Sequence, residues 1–198
     1  MLVCDQPTAR VTLPSQDDSR TDRELIAALN HGEAAAFDAL YYRHRDWVMA
    51  LAFRFTRDRD TALDVLQEAF LYFVRKFPGF ELTCRLRTFL YPVVRSLSVT
   101  ALRKTDRVTS LDAMREENET AEPMAEPAVV VDDEELAGAL AGLSGDHRET
   151  LRLRFVEGFD LGEIADALEI PVGTVKSRLH HALNQLRQSP RARKYFKD

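Results

Sequence analysis

The sequence predicts an all-α protein in which a flexible acidic linker joins two small helical domains. Apolar residues recur at steps of three and four along most of the chain, which is the spacing of one helix face. The eight glycines and eight prolines fall mostly between these periodic segments. Hydrophobic residues make up 45% and charged residues 30% of the 198 residues, a composition that is typical of globular rather than disordered proteins.

The two cysteines, Cys4 and Cys84, form no CxxC motif and no Cys/His cluster. This pattern argues against a metal site and a disulfide framework, and it fits a reducing cytosol. No apolar run approaches the roughly 18 residues that a membrane span needs. Residues 1–20 lack the basic start and apolar stretch of a secretory signal. We therefore expect a cytoplasmic protein with no metal, no cofactor and no membrane insertion.

The first helical block follows a polar tail, residues 1–20, in which no helical period is visible. Thr21 and Glu24 have the spacing of a capping box, which predicts the start of a short helix that ends near Leu29. An apolar stripe at three- and four-residue steps predicts a longer second helix over residues 37–55.

The third helix is predicted over residues 61–77, because Pro78 and Gly79 follow it. Its predicted buried face consists of Leu63, Leu66, Phe70, Phe73 and Phe77. The opposite side carries Asp64, Gln67, Glu68, Leu71 and Arg75. This second face is either a solvated surface with one exposed leucine or a docking face for a basic partner helix.

A basic fourth helix is predicted over residues 87–104. Pro92 falls early within it and removes one backbone hydrogen bond, which predicts a kink or a later start. Residues 106–132 then contain two prolines and many acidic residues, a composition that is typical of a mobile linker. This linker contributes much of the formal net charge of −5.

The second block, residues 133–198, contains two helices that a tight turn joins. A short amphipathic helix covers residues 161–168, and Pro171 starts the next helix, where a missing N–H group costs nothing. This arrangement is typical of a helix-turn-helix. Glu169 stands where a glycine is common, and a left-handed backbone at this residue would cost about 1 kcal/mol.

The second of these two helices has an outer face of hydroxyl and basic side chains: Thr174, Lys176, Ser177, Arg178, His180 and His181. Lysine and arginine neutralise phosphates, while serine, threonine and arginine reach base edges in the major groove of DNA. The alternative is a helical hairpin whose basic face is merely solvated.

These segments resemble the extracytoplasmic-function (ECF) sigma factors of the sigma-70 family. The stretch "LSGDHRETLRLRFVEGFDLGEIADALEIPVGTVKSRLHHALNQLR" resembles their region 4. The stretches "AAAFDALYYRH", "DTALDVLQEAFLYFVRKFPGF" and "TFLYPVVRSLSVTALRK" resemble their region 2. The resemblance covers about Thr21 to Arg187 in the order of the family. It implies a region 2 domain at residues 21–105 and a region 4 domain at residues 133–198.

The resemblance also implies a function, partners and site residues. The chain would be a sigma subunit of bacterial RNA polymerase that directs promoter recognition and DNA melting, with an anti-sigma factor as a further partner. The polymerase core would bind Asp64, Gln67, Glu68 and Leu71. The minus-ten element would bind Phe80, Arg87, Phe89, Ser96, Ser98, Thr100, Arg103 and Lys104. The minus-thirty-five element would bind the outer face described above, Thr174, Lys176, Ser177, Arg178, His180 and His181.

The sequence departs from the family pattern in the helix that would read the minus-ten element. The family usually has tryptophan at the position of Phe89, asparagine at Ser96 and aspartate at Thr100. Together with Pro92, these departures leave the promoter sequence and the efficiency of melting open.

The two alternatives to a sigma factor are a stand-alone regulator and an enzyme. A stand-alone helix-turn-helix regulator would use its first block for sensing or dimerisation, but no pocket or phosphorylation motif is legible there. An enzyme would need a catalytic constellation, and His31, His44 and His147 have no partner at motif spacing. The sequence also lacks a P-loop, an HExxH motif and a nucleophile elbow. We therefore expect no enzymatic activity.

Overall fold

A computed structural model describes residues 18–113, 134–192 and 195 of the chain. Within these residues the regular structure is helical, in agreement with the predicted all-α class. The eight helices of the described ranges are α1 (Asp22–Asn30), α2 (Ala34–Thr56), α3 (Arg59–Val74), α4 (Leu86–Ala113), α5 (Glu134–Ala141), α6 (Gly145–Phe155), α7 (Leu161–Leu168) and α8 (Val172–Gln188). Over this part of the chain, no helix has both the length and the apolar character needed to cross a membrane.

Helices α1 to α4 form the first block, in which every helix packs against α2. The predicted capping box is present at the start of α1: the Glu24 amide donates to the Thr21 hydroxyl, and the Thr21 amide donates to the Glu24 carboxylate. Asp58 caps α3 by accepting from the Thr61 amide. These caps satisfy amides that have no partner within their helices.

Helices α5 to α8 form the second block, which has a small apolar cluster of its own. The cluster consists of Ala139, Leu143, Leu151, Ala182, Leu186 and Ala192. The amide of His147 donates to Ser144 at the start of α6, and a second capping box joins Asp160 and Glu163 at the start of α7. Glu169 has a φ of 55°, so its backbone lies in the left-handed region.

The third and fourth helices differ from the sequence prediction at their ends. Helix α3 stops at Val74 because the amides of Lys76 and Phe77 donate to carbonyls three residues back, in a tighter turn. Helix α4 begins at Leu86, before Pro92, so the predicted later start is wrong. It also continues to Ala113, so the first residues of the predicted linker are helical.

Leu63 was predicted on the buried face of α3, but 44% of its surface is exposed. At about 100° per residue, Leu63 lies only about 80° around the helix from Leu71, on the solvent side. The core positions are instead Ala62, Val65, Leu66, Ala69, Phe70 and Phe73. Because Leu63 points outward, it widens the exposed face that the sequence predicted.

The two blocks also pack against each other, and α7 lies against α4. One continuous buried cluster includes Leu90 and Tyr91 of α4 together with Leu153, Phe159 and Ile164 of the second block. The rings of Tyr91 and Phe159 have their centroids 6.3 Å apart. The predicted linker beyond Ala113 and most of the predicted tail lie outside the described residues.

Replacement of Glu169 by glycine is expected to raise the free energy of unfolding by about 1 kcal/mol, because glycine adopts a positive φ without a Cβ clash. Urea denaturation of the full chain measures this change. Glu81→Gly is the control, since Glu81 is exposed and is not a positive-φ residue. Equal effects of the two substitutions would contradict the strain at Glu169.

Candidate nucleic-acid and partner interfaces

Helix α3 presents an exposed face on which polar side chains accompany Leu71, with the exposed Leu63 at its edge. Asp64, Gln67, Glu68 and Leu71 are all exposed, and Leu71 is 50% exposed. The opposite side of the helix is buried, because residues at three- and four-residue steps share a face and this helix rests on α2 and α4. The structure therefore brings the predicted polymerase-binding residues together on one accessible surface that contains acids, an amide and a leucine.

The loop between α3 and α4 is held over an aromatic cluster. The ring centroids of Phe80 and Phe89 are 4.9 Å apart, and those of Phe80 and Phe73 are 5.7 Å apart. Phe77 and Tyr72 complete the cluster at its two sides. Phe80 and Phe89 remain partly exposed, so their outer surfaces are available while their inner edges pack.

Asn30, at the end of α1, fixes this loop from a distance of about fifty residues in sequence. Its amide nitrogen donates to the Phe80 carbonyl at 2.8 Å. Its amide oxygen accepts from the backbone amides of Gly79 at 2.7 Å and Phe80 at 3.2 Å. Sequence reasoning missed Asn30, because no local pattern shows that a helix-terminal asparagine will meet a distant loop.

Replacement of Asn30 by alanine is expected to release the loop that carries Phe80. The loss of these bonds should lower the free energy of unfolding by about 1 kcal/mol and speed hydrogen exchange at the Gly79 and Phe80 amides. Asn30→Asp keeps the acceptor for both amides, so exchange there should change less. Fast exchange at both amides in the aspartate variant would argue against the clamp.

Helix α4 carries most of the predicted minus-ten residues, and they do not share one environment. Arg87, Ser96, Thr100, Arg103 and Lys104 are exposed. The guanidinium of Arg87 lies 5.4 Å from the centre of the Trp47 ring, and the Thr100 hydroxyl donates to the Ser96 carbonyl at 2.9 Å.

Ser98 was predicted among the minus-ten residues, but its exposed fraction is 0%. It points inward because Ser98 lies four residues after Val94 and so shares the buried face of α4. Its hydroxyl has no hydrogen-bond partner in the structure. Ser98 therefore does not belong to the exposed surface of α4.

Helices α7 and α8 have helix-turn-helix geometry. The Ile170 amide donates to the Ala165 carbonyl at 3.0 Å and closes the turn through Glu169. Pro171 is the N-cap of α8, so the helix begins at Val172, one residue later than predicted. The carbonyl of Pro171 accepts from the amides of Thr174 and Val175. Val175 is fully buried and anchors α8 against the rest of the domain.

The outer face of α8 agrees with the prediction in most positions. Lys176, Ser177, His180 and His181 are exposed, while Thr174 and Arg178 are partly buried. Arg178 forms an ion pair with Asp146 of α6. The His180 ring is 2.9 Å from the amide nitrogen of Asn184. The face is therefore basic and accessible. Of its lysine and arginine side chains, Lys176 is free to move, whereas Arg178 is held by Asp146.

Three buried or partly buried carboxylates of the second block contact the first block. The Tyr91 hydroxyl donates to Glu149 at 2.7 Å, and the Trp47 indole N–H donates to Glu157 at 2.7 Å. Thr88 donates to Glu163 at 3.3 Å. Burial, followed by the charge of Glu149, raises the pKa of Tyr91 well above its ordinary value. No local sequence pattern indicates these contacts.

Over the described residues, no group of three or more His, Cys, Asp or Glu side chains is placed to hold a metal ion. Cys84 lies between the two blocks. Burial, together with the charges of Asp166 and Glu163, raises the pKa of its thiol.

The second block presents an accessible basic helix-turn-helix. The first block presents an acidic exposed face on α3 and a basic surface with aromatic rings. This combination is typical of a DNA-binding transcription protein. Two protein-family models match the chain: "Sigma-70 region 2" matches residues 40–108, and "Sigma-70, region 4" matches residues 139–188. The chain belongs to the extracytoplasmic-function sigma factors of the sigma-70 family. It is thus a sigma subunit of bacterial RNA polymerase that directs promoter recognition and DNA melting, and the alternative of a stand-alone regulator is not supported.

Two relatives each match about four fifths of the chain. The chain is 34% identical to the ECF RNA polymerase sigma factor SigL of Mycobacterium tuberculosis over 158 residues, which cover 78% of this chain and 89% of SigL. It is 31% identical to the RNA polymerase sigma-H factor of Pseudomonas aeruginosa over 172 residues, which cover 81% of this chain and 89% of that protein.

Two solved structures share the fold. One is the sigma factor RpoE in complex with the anti-sigma factor NepR from Bartonella quintana, with 24% identity, a TM-score of 0.55 and coverage of 81% of this chain and 98% of that chain. The other is CnrH in complex with the cytosolic domain of CnrY, with 22% identity, a TM-score of 0.57 and coverage of 83% and 93%. At these identities the likeness concerns the fold alone.

Proposed function

We propose that this sigma factor divides its work among three surfaces. The α3 face of Asp64, Gln67, Glu68 and Leu71 binds core polymerase. The observation that carries the proposal is the exposure of this face on one block while a basic helix-turn-helix face is exposed on the other. Separate surfaces allow one chain to hold the polymerase and DNA at the same time.

The minus-ten surface in this proposal consists of the clamped loop and the outer side of α4. Its members are Phe80, Arg87, Phe89, Ser96, Thr100, Arg103 and Lys104. Aromatic rings stack on unpaired bases and basic side chains hold the backbone. The partly exposed rings of Phe80 and Phe89 are supported from below by Phe73, so they form a firm platform for a flipped base.

The minus-thirty-five surface consists of Thr174, Lys176, Ser177, Arg178, His180 and His181. The first turns of a recognition helix enter the major groove, and the exposed Lys176 and Ser177 lie in the second turn of α8.

We assign region 2 to residues 21–105 and region 4 to residues 133–198. The acidic segment between them is assigned as a tether, and its first residues, 106–113, extend α4.

An anti-sigma factor is a further proposed partner. RpoE of Bartonella quintana, which shares this fold, is described in complex with the anti-sigma factor NepR, and CnrH is described in complex with the cytosolic domain of CnrY. We also propose that the chain acts in the cytoplasm, at the nucleoid when it is bound to polymerase, and that it has no catalytic activity of its own, since promoter binding and melting require none.

Promoter-selective transcription tests the proposal. The purified chain is combined with bacterial core polymerase and a fragmented genomic library, and the transcript starts are sequenced. Discrete starts that share two spaced elements would support the function and reveal the promoter. Transcription that is no more selective than with core polymerase alone, together with tight DNA binding by the free chain, would contradict it.

A further inference from the structure

Tyr72 extends the aromatic platform from α4 onto the last turn of α3. Its ring lies nearly parallel to the ring of Phe89, with an angle of 24° between the ring planes and 6.3 Å between the centroids. Tyr72 is 39% exposed, and Phe89 is partly exposed. The two helices therefore present adjacent aromatic surfaces to solvent.

A cavity of about 610 Å³ lies beside the two rings. Tyr72 and Phe89 line it together with Val93 and Ser96 of α4. Residues of the second block line its other side, whereas the wall with the rings belongs wholly to the first block. The volume is within the range of sites that enclose small organic molecules, so the cavity has room for a nucleobase.

The two rings lie at one end of the proposed minus-ten residues of α4. Phe89, Val93, Ser96, Thr100 and Arg103 follow one another at steps of four and three residues, so they share one side of the helix. This line is about 20 Å long at 1.5 Å per residue. It ends at Phe89 in the first turn of α4, and Tyr72 continues the aromatic surface from there onto α3.

Lys76 places a cation at the same ring. Its ammonium lies 4.6 Å from the centre of the Tyr72 ring, and its side chain is exposed. A cation–π contact at an exposed site is weaker than the stacking of a nucleobase on an aromatic ring. An unpaired base can therefore displace the ammonium from the ring. The displaced ammonium then lies next to the phosphate of the same nucleotide, which attracts a cation.

We propose that Tyr72 and Lys76 belong to the minus-ten surface. Tyr72 stacks on a second unpaired base, next to the base on Phe89, and Lys76 binds the phosphate of that nucleotide. This inference rests on the proposed function, because it takes its minus-ten surface from there. Stacking tolerates every base, since each has an aromatic face. The contact therefore supports strand opening and does not read a particular base.

Two single-stranded probes separate a base contact from a backbone contact. One is a short fluorescein-labelled oligothymidine, and the other is the same strand with abasic sites in place of its nucleotides. Fluorescence anisotropy at low ionic strength measures their affinities for the full-length chain. Tyr72→Ala is expected to bind oligothymidine about tenfold more weakly, as for the loss of one stacked base, and to bind the abasic strand as the parent does. Tyr72→Phe keeps the ring and should retain both affinities.

Tyr42→Ala on α2 is the matched control. Tyr42 is also a tyrosine with a cation over its ring, since the Arg45 guanidinium lies 4.9 Å from the ring centre. The neighbouring Tyr41 packs against Phe70, which lies about 160° around α3 from Tyr72. Tyr42→Ala should therefore change neither affinity.

Three results would overturn the assignment of Tyr72. The first is an equal loss of affinity for the two strands in Tyr72→Ala, and the second is no loss for oligothymidine. The third is a parent chain that shows no preference for oligothymidine over the abasic strand, because no base contact would then exist.

Lys76→Ala should weaken the binding of both strands, because both carry phosphates. The slope of log affinity against log salt should fall by about 0.7, as for the loss of one phosphate contact to a single strand. Arg59→Ala removes the same charge from an exposed residue at the other end of α3, and it should leave the slope unchanged. An unchanged slope in Lys76→Ala would overturn the assignment of Lys76.

A Phe89→Leu background separates a direct contact from mere support of the Phe89 ring. If Tyr72 acts only through that ring, Tyr72→Ala has no further effect in this background. The proposal instead requires a further severalfold loss of oligothymidine affinity, and the absence of this loss would overturn it.

Circular dichroism checks that each variant is folded, and Tyr72→Leu takes the place of Tyr72→Ala if the alanine variant unfolds. The proposed function fails on a different result: the parent chain gives no selective transcription with core polymerase. The strand assay contains no polymerase, so it decides on Tyr72 and Lys76 separately.

Discussion

Joint replacement of Lys176 and Arg178 by alanine is expected to reduce binding of minus-thirty-five duplex at least about 100-fold, to the level of nonspecific DNA. Affinity for core polymerase should stay unchanged. Lys176 is exposed in the second turn of α8, and Arg178 lies one turn from Thr174 on the same outer side. In the proposed function each supplies a cation to a phosphate or base edge, and neither belongs to the α3 face. Fluorescence anisotropy with promoter duplex and with labelled polymerase measures the two affinities.

The matched control for this variant is Arg23→Ala with Arg59→Ala, which removes two exposed cations from the first block. At equal ionic strength the control should lose only the small nonspecific share of DNA affinity. Loss of polymerase binding in the α8 variant would contradict the assignment of two separate surfaces. Equal losses of duplex affinity in the two variants would show that α8 contributes charge and no recognition.

The ion pair between Arg178 and Asp146 predicts different effects for the two single variants. In the free chain Asp146 holds Arg178 against α6, so DNA must compete with a carboxylate for that side chain. The single variant Lys176→Ala should therefore lose more duplex affinity than Arg178→Ala does. Without this ion pair the opposite order would be expected, because arginine makes the stronger base contact.

Local rules explain which features could be predicted from the sequence. The capping box at Thr21 and the exposed stripe of α3 each depend on residues within about one or two helical turns. Their geometry follows from the helix period and from the backbone preferences of single residues. The all-α class and the helix-turn-helix follow from the same rules, applied several times along the chain.

Long-range contacts explain what could not be predicted. Asn30 meets Gly79 and Phe80 across two helices, and Glu149 meets Tyr91 across both blocks. Nothing near these residues in sequence indicates their partners. Ser98 fails for a related reason: the family motif assigns a function to its position, whereas the packing of α4 buries its side chain.

Replacement of Glu68 by lysine together with Leu71 by alanine is expected to weaken binding of core polymerase about 100-fold and abolish selective transcription. Leu71 is the large apolar side chain at the centre of the proposed α3 face, and such anchors contribute most of the binding energy of an interface. Glu68 lies beside it, and a charge reversal there turns attraction toward a basic partner helix into repulsion. Competition for core polymerase against a labelled parent chain measures the change.

The matched control is Asp38→Lys with Phe53→Ala, which makes the same charge reversal and a comparable apolar truncation on α2. Asp38 is exposed, and Phe53 is 44% exposed, so neither change should unfold the block. Duplex binding through α8 should be unchanged in both variants, because none of the four substituted residues belongs to the outer face of α8. If the α2 control lost polymerase affinity to the same degree, the effect would come from overall charge or stability, and the α3 face would not be the docking site.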